Sequence, residues 1–305
     1  MRNVSTEVVL QLLREDKNVL AVTADNGNEI YDQIRQEYPA QYLDFGIAEC
    51  NMVAASAGLA AAGKIPFLYA VTNFMSMRAY EFLRNIVCEP KYNVKFLGRS
   101  AGVVTGTYGM THQGTEDLAL LRTLPNLLTI TPATPIEARE ATRFAYRHKG
   151  PVYIRLEAAN EPELYGKDYR FVAGRGHVLR DGGDATVISM GSVVNEALKA
   201  AEKLALDGIR LRIVNMPMVN PIDQDLLIAA AKETGHIITL EEHSIHGGLG
   251  SAVAEVLAEN GIAVSFCRMG LDGCAKGCGT REAMREINGL ASENIIAKVR
   301  EMLAR

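Results

Sequence analysis

No run of apolar residues in this sequence reaches membrane-spanning length, so no transmembrane helix is expected. The first residues, MRNVSTEVVLQLLRED, lack the compact apolar stretch and cleavage site of a signal peptide and read as a helix. No tract is of low complexity. Positive charge is not in excess: 32 Lys and Arg against 36 Asp and Glu leave a net charge of -4. That balance argues against nucleic acid or an anionic membrane as the main partner. The cysteines (Cys50, Cys88, Cys267, Cys274 and Cys278) are odd in number and follow no secretion signal. They are expected to be reduced thiols of a cytoplasmic protein.

Charge is locally scarce as well. In DFGIAECNMVAASAGLAAAG, residues 44–63, Glu49 is the only charged side chain after Asp44. Ala54, Ala55, Ala57, Ala60, Ala61 and Ala62 follow, with Gly58 among them. Small residues at helical spacing let another backbone come very close. A carboxylate entering such a helix must be paired, protonated or catalytic, because burying it alone is costly. The plain alternative is a first-turn charge that favours the helix dipole.

Apolar runs alternate with helical patterns along the chain. Strands are expected at 17–23, 41–47, 64–71, 94–100, 127–133 and 151–157, and again at 185–191, 209–216, 236–243 and 262–270, with helices between most of them. Residues 73–87 read as one of these helices. Such alternation implies mostly parallel, doubly wound sheets. Asp25, Asn26 and Asn28 follow the first strand and either line a pocket at its carboxyl end or simply turn the chain. Residues 101–114, AGVVTGTYGMTHQG, form a glycine-rich loop after a strand. From 157 to about 180 the periodicity stops, and Pro162, Gly166, Gly174 and Gly176 mark a linker. The expected organisation is α/β: two doubly wound domains, 1–160 and 181–305, joined by a linker at 161–180.

Five separated strings occur in this order: DFGIAE at 44–49, TNF at 72–74, THQGTEDLALLRTLPNL at 111–127, YIR at 153–155 and TLEEHSIHGGLGSAVAEVLAE at 239–259. Together they resemble the carboxyl-terminal two-thirds of the transketolase family. The resemblance implies a pyrimidine-binding domain of the thiamine-diphosphate-binding fold, followed by a transketolase C-terminal domain. The chain is similar also to deoxyxylulose-phosphate synthases and, more remotely, to the β subunits of 2-oxo-acid dehydrogenases. Transketolases hold the cofactor's diphosphate and a divalent metal with a GDG motif followed by an asparagine. No GDG is present; the nearest string is RDGGD at 180–184. The resemblance therefore implies one half of a split transketolase, without turnover on its own. Thiamine diphosphate is the implied cofactor, with Mg²⁺ held mainly by a second polypeptide that carries the GDG site. Two copies of each chain are expected, and no metal ligand is assigned to this one.

The resemblance also implies roles for particular residues. Glu49 matches the glutamate that hydrogen-bonds the aminopyrimidine ring and so activates the cofactor, which supplies the carbanion chemistry. Phe74 matches an aromatic residue that stacks on that ring, with a core phenylalanine as the plain alternative. Val71 and Met77 stand where a second aromatic and a tyrosine are common. His112, in THQG, matches a histidine that faces the reacting centre, stabilises oxyanion character and moves protons. Gln113 is expected to brace the loop. Arg155 matches an arginine that contacts a sugar phosphate, with a salt bridge as its structural alternative. Arg2 is a candidate for a second phosphate contact. Arg99 and Ser100 lie where a substrate-contacting histidine is usual.

One departure bears on substrate. Many transketolases have GEDGPTH before the histidine, where an acid reads the donor's stereochemistry. Here the string is GTYGMTH, with Thr107 and Tyr108 in place of the two acids. The implied activity is transfer of a two-carbon ketol unit from a ketose phosphate, and an unusual one, to an aldose. The alternatives are a synthase-like or 2-oxo-acid-decarboxylating subunit, and a non-catalytic assembly or regulatory subunit. EEHSIHGG, 241–248, reads as structural rather than metal-binding. GCAKGCG, 273–279, is left unexplained by the resemblance; metal, redox sensitivity and plain thiols all stay open.

Overall fold

Val19–Thr23 (β1), Ile65–Val71 (β3) and Val152–Leu156 (β6) are buried along almost their whole length. Parallel strands covered on both faces need such unbroken apolar runs, not an in-out alternation. In the computed structural model, which describes residues 1–27, 29–157 and 161–304, these strands join Tyr42–Asp44 (β2), Lys95–Arg99 (β4) and Leu128–Ile130 (β5). Asn28, one of the three candidates after the first strand, lies outside the described residues.

The chain divides into two compact units, residues 1–101 with 120–171, and residues 102–119 with 172–305. In the first, the strand order is β5-β6-β4-β3-β1-β2, every pair parallel. One register line runs Leu43, Val22, Leu68, Phe96, Tyr153, Thr129. Arg2–Glu15 (α1), Glu29–Glu37 (α2), Glu49–Ala61 (α3) and Pro135–Arg147 are its longer helices. The last starts on Thr134, whose hydroxyl caps the amide of Glu137 at 3.3 Å.

The segment expected as one helix over 73–87 instead forms two π-helical turns, Phe74–Arg78 and Leu83–Cys88, around a short α turn, Tyr80–Phe82. Helical periodicity in sequence does not separate α from π. π turns are uncommon and often mark functional positions.

The second unit holds a five-stranded sheet. Its order is Ser265–Leu271, His236–Ser244, Ala185–Ser189 (β8), Leu211–Asn215 (β9), His177–Arg180 (β7), with β7 antiparallel at the edge. No strand is expected at 177–180 from the sequence, because these four residues, three half-buried and Val178 exposed, show no apolar run. RDGGD turns the chain from β7 into β8. A Cβ on Gly182 would lie 2.4 Å from the Arg210 carbonyl oxygen. Asp181 pairs with Arg212, and Asp184 accepts the Arg210 amide at 2.6 Å. Among the described residues no helix is long and apolar enough to cross a membrane.

Candidate active site

β2 ends at Asp44, and the chain must then turn sharply into α3. Gly46, at φ +63°, makes that turn. Its amide is held by the Asp44 carboxylate at 3.0 Å, and the same oxygen accepts the Asp25 amide at 2.9 Å. Burial pushes the Asp44 carboxyl up, but the two amide donors outweigh it and leave the group below its ordinary value. The turn delivers Glu49 to the first position of α3, where it is 3% exposed. Arg78 donates to both its oxygens, at 3.2 Å and 3.4 Å. The same guanidinium lies 4.1 Å from the centre of the Phe74 ring. Glu49 is therefore both a first-turn charge and a paired one.

This arrangement tests whether a thiamine ring would fit. A planar group bearing N–H donors is already satisfied by a ring face below it and a carboxylate at its edge. An aminopyrimidine presents the same kind of surface. Val71 ends β3 and is buried, and Met77 is 40% exposed within the same π turn as Phe74.

The other candidates of this unit lie near the carboxyl ends of strands, except Arg2 at the head of α1. Arg99 donates to Asn26 at 2.8 Å and to the Ser100 hydroxyl at 3.2 Å. Ser100 is buried with φ +61°, an uncommon conformation for a residue with a Cβ. Arg155 is fully buried and donates to the equally buried Glu157 at 3.2 Å. Its structural alternative, the salt bridge, is thus present. Arg2 bonds Asn3 at 3.1 Å and, with Glu7, Glu29 and Ile30, lines a recess of about 470 Å³.

His112 and Tyr108 belong to the second unit. Their rings lie 5.2 Å apart, inclined at 32°, and the Thr111 hydroxyl meets His112 Nδ1 at 3.0 Å. Tyr108 is 69% exposed. Gln113 is buried beside them, and the Thr105 hydroxyl donates to the His112 carbonyl at 2.6 Å.

The loop that carries these residues is anchored by groups far away in sequence. Glu242 is fully buried and accepts the Val103 amide at 3.3 Å. Arg281 and Arg285 donate to it at 3.1 Å and 2.6 Å. Burial alone would raise the Glu242 carboxyl, but the two guanidinium groups hold it down at about 2. Gly102, at φ +65°, has no room for a side chain, since a Cβ there would lie 2.5 Å from Glu242 Oε2. Cys278 donates its thiol to the carbonyls of Gly106 and Thr107, at 3.0 Å and 3.2 Å.

EEHSIHGG is occupied in the same structural way. Glu241 caps the helix Leu249–Glu259 through the amides of Leu249 and Gly250, each at 2.8 Å. His243 accepts the Ala119 amide at 3.3 Å.

Residues 1–162 match the model of the transketolase pyrimidine-binding domain, and residues 174–295 match that of the transketolase C-terminal domain. The chain belongs to the transketolase family. Among its relatives is an apulose-4-phosphate transketolase subunit of Actinobacillus succinogenes, 36% identical over 97% of this chain and 96% of that protein. Another is a 6-deoxy-6-sulfo-D-fructose transketolase subunit of a Clostridium species (strain MSTE9), 34% identical over 100% of this chain and 95% of that one. A solved split-gene transketolase, an inactive β4 tetramer, superposes with a TM-score of 0.88. It is 37% identical, and the match covers 99% of this chain and 97% of that one.

Within this transketolase chain, sequence reasoning missed Arg78 and the Glu242 cluster. Arg78 stands four residues after Phe74, a spacing that puts the two side chains together on a helix and could have flagged it. Arg281 and Arg285 share the same four-residue spacing, but nothing near them in sequence names Glu242 as their partner.

Proposed function

We propose that this chain is the pyrimidine-binding, C-terminal subunit of a two-polypeptide transketolase of the cytoplasm. With a partner that carries the diphosphate and Mg²⁺ site, it transfers a two-carbon ketol unit from a ketose phosphate to an aldose. The observation that carries this reading is Glu49, a buried carboxylate at the head of α3, with the face of Phe74 beside it. Thiamine diphosphate, when bound, supplies the carbanion chemistry. Glu49, buried at the head of α3, would hold the edge of the pyrimidine ring and would be the group through which a proton passes to and from it. Phe74 gives that ring a flat apolar face, with Val71 and Met77 completing the wall.

His112 is the proton carrier for the substrate oxygens, its ring oriented by the Thr111 hydroxyl at Nδ1. Arg155, Arg99, Ser100 and Arg2 are the candidate contacts for the sugar phosphate. Tyr108, a phenol where many relatives have an acid, reads the donor's hydroxyls and shifts the preference to an unusual ketose. Two relatives named for different sugars support a site whose substrate varies within the family. The inactive β4 assembly of a split-gene relative supports the need for a partner chain.

The test is to assemble the chain with its GDG-bearing partner and offer a ketose phosphate plus an aldose, and separately pyruvate plus glyceraldehyde 3-phosphate. Ketol exchange in the first mixture is expected. Carbon dioxide from the second, with no exchange in the first, would overturn the reading.

A further inference from the structure

Arg78 is one cationic side chain satisfying two surfaces that the proposed cofactor ring also needs. It donates to both oxygens of Glu49 and lies over Phe74. Its side chain is half exposed, so it borders solvent and has somewhere to go. Its backbone is fixed independently: the Cys50 thiol on α3 donates to the Arg78 carbonyl at 3.2 Å. The π turn that carries it places Phe74 and Arg78 at its two ends. Without some partner, Glu49 would be a buried lone carboxylate and the Phe74 face would be wet, and both are unfavourable.

We infer that Arg78 is a built-in stand-in for the aminopyrimidine ring. In the cofactor-free chain it fills the seat formed by Glu49 and Phe74, and the cofactor docks only as the guanidinium swings out. This rests on the reading of Glu49 and Phe74 as the pyrimidine seat. Seat occupation by Arg78 protects the carboxylate before assembly. It also lowers the apparent cofactor affinity by the fraction of molecules in which the seat is open. A half-exposed ion pair and one cation–π contact together set that fraction at about one in ten. The penalty is the same factor for a fragment of the cofactor as for the whole molecule, and the whole molecule, gripped also by the partner, overcomes it.

The experiment is isothermal titration of thiamine diphosphate with Mg²⁺ into the assembled complex, comparing wild type with Arg78→Met and Arg78→Lys. Arg78→Met keeps the length of the chain and removes the guanidinium. It is expected to bind about tenfold more tightly. Arg78→Lys keeps the charge but not the planar stack, and is expected to fall between the two. Salt should narrow the gap, since it screens the ion pair in the wild type. In a Glu49→Gln background the gain from Arg78→Met should shrink below about threefold, because the two changes act on one interaction. Equal or weaker binding by both Arg78 variants would overturn the inference while leaving the transketolase reading intact. A wild-type complex that binds no thiamine diphosphate at all would overturn both.

Discussion

Glu49 and Glu242 are both buried, and both meet arginine, yet the arginines differ. Arg78 is 50% exposed, and one guanidinium nitrogen reaches Glu49 at 3.2 Å and 3.4 Å. Arg281 and Arg285 are each 9% exposed, and they converge on Glu242 from one short helix, Arg281–Ile287. Arg285 also donates to the Ser192 hydroxyl at 2.9 Å and lies 3.7 Å from Glu196. The Glu242 cluster is thus cross-linked and dry, whereas the Glu49 pair opens to solvent on one side. A ligand can replace a partner only where that partner can leave. On the proposed reading, the difference separates a carboxylate that serves chemistry from one that serves architecture; in sequence Glu49 is the lone charge of its stretch, whereas Glu242 stands between Glu241 and His243.

The largest effect expected is on turnover. Glu49→Gln in the assembled complex should lower kcat by about 100-fold to 10,000-fold, the usual range for losing a positioned proton-transfer group. Thermal unfolding of the isolated variant should stay close to wild type, since Arg78 can turn to water. Near-normal turnover would favour a non-catalytic subunit.

Glu242→Gln should do the reverse. It removes the shared buried counter-charge of two poorly solvated guanidinium groups, leaving Arg285 only the longer contact to Glu196, and should cost about 3–5 kcal/mol of stability, read as a lower denaturation midpoint. The pH dependence follows the same group. Its folded-state carboxyl is held down at about 2, below its unfolded value, so its contribution is complete above about pH 4.5. It is lost as pH falls towards 2, and the stability difference between wild type and Glu242→Gln should close over that window. A difference that stays constant down to pH 2 would show that Glu242 is not held by its arginines.

What was legible in the sequence follows the range of the interaction. β1, β3, β4 and β6 were readable because a parallel strand carries its apolar run within itself. Glu49 and His112 stand out in the sequence because DFGIAE and THQG are contiguous strings that resemble known motifs, and the roles proposed for them rest on that resemblance. The four-residue spacing from Phe74 was the one local signal for Arg78; Glu49 lies 29 residues before it, and no local pattern pairs the two. The anchoring of the His112 loop was out of reach for the same reason. Glu242 and Val103 stand 139 residues apart, and no local pattern pairs them. Cys278 was visible as an odd thiol, and only the structure joins it to the carbonyls of Gly106 and Thr107. Strand β7 was missed because an edge strand needs little apolar surface.

Lys95 gives a smaller effect, in the first unit and away from both carboxylates. It is fully buried and donates to the carbonyls of His148 and Gly150, at 2.7 Å and 2.6 Å. Burial pushes its ammonium down to about 7. Between pH 7 and about 10.4 the unfolded chain therefore keeps a proton that the folded chain has released. Stability gained from this group rises with pH across that window. Chemical denaturation of wild type and Lys95→Met at pH 7, 8.5 and 10 should show the difference moving in favour of wild type as pH rises. A difference independent of pH would mean that the ammonium stays charged throughout.

The smallest change expected concerns substrate choice rather than rate. Tyr108 is exposed and meets His112 with its ring, so its hydroxyl and its ring are separable by substitution. Tyr108→Phe keeps the ring and removes the hydroxyl. If the hydroxyl reads the donor sugar, kcat/KM for the preferred ketose phosphate should fall about tenfold relative to a competing one, the worth of one hydrogen bond in a site. Tyr108→Ala removes the ring as well and should lower turnover with every donor, because His112 loses a neighbour that limits its rotation. Equal losses in both variants, without a change in donor ranking, would assign Tyr108 to positioning His112 and leave the choice of sugar to other residues. Unchanged kinetics in Tyr108→Phe with a shifted ranking in Tyr108→Ala would instead make the bulk of the ring the selecting element, acting by exclusion of larger donors.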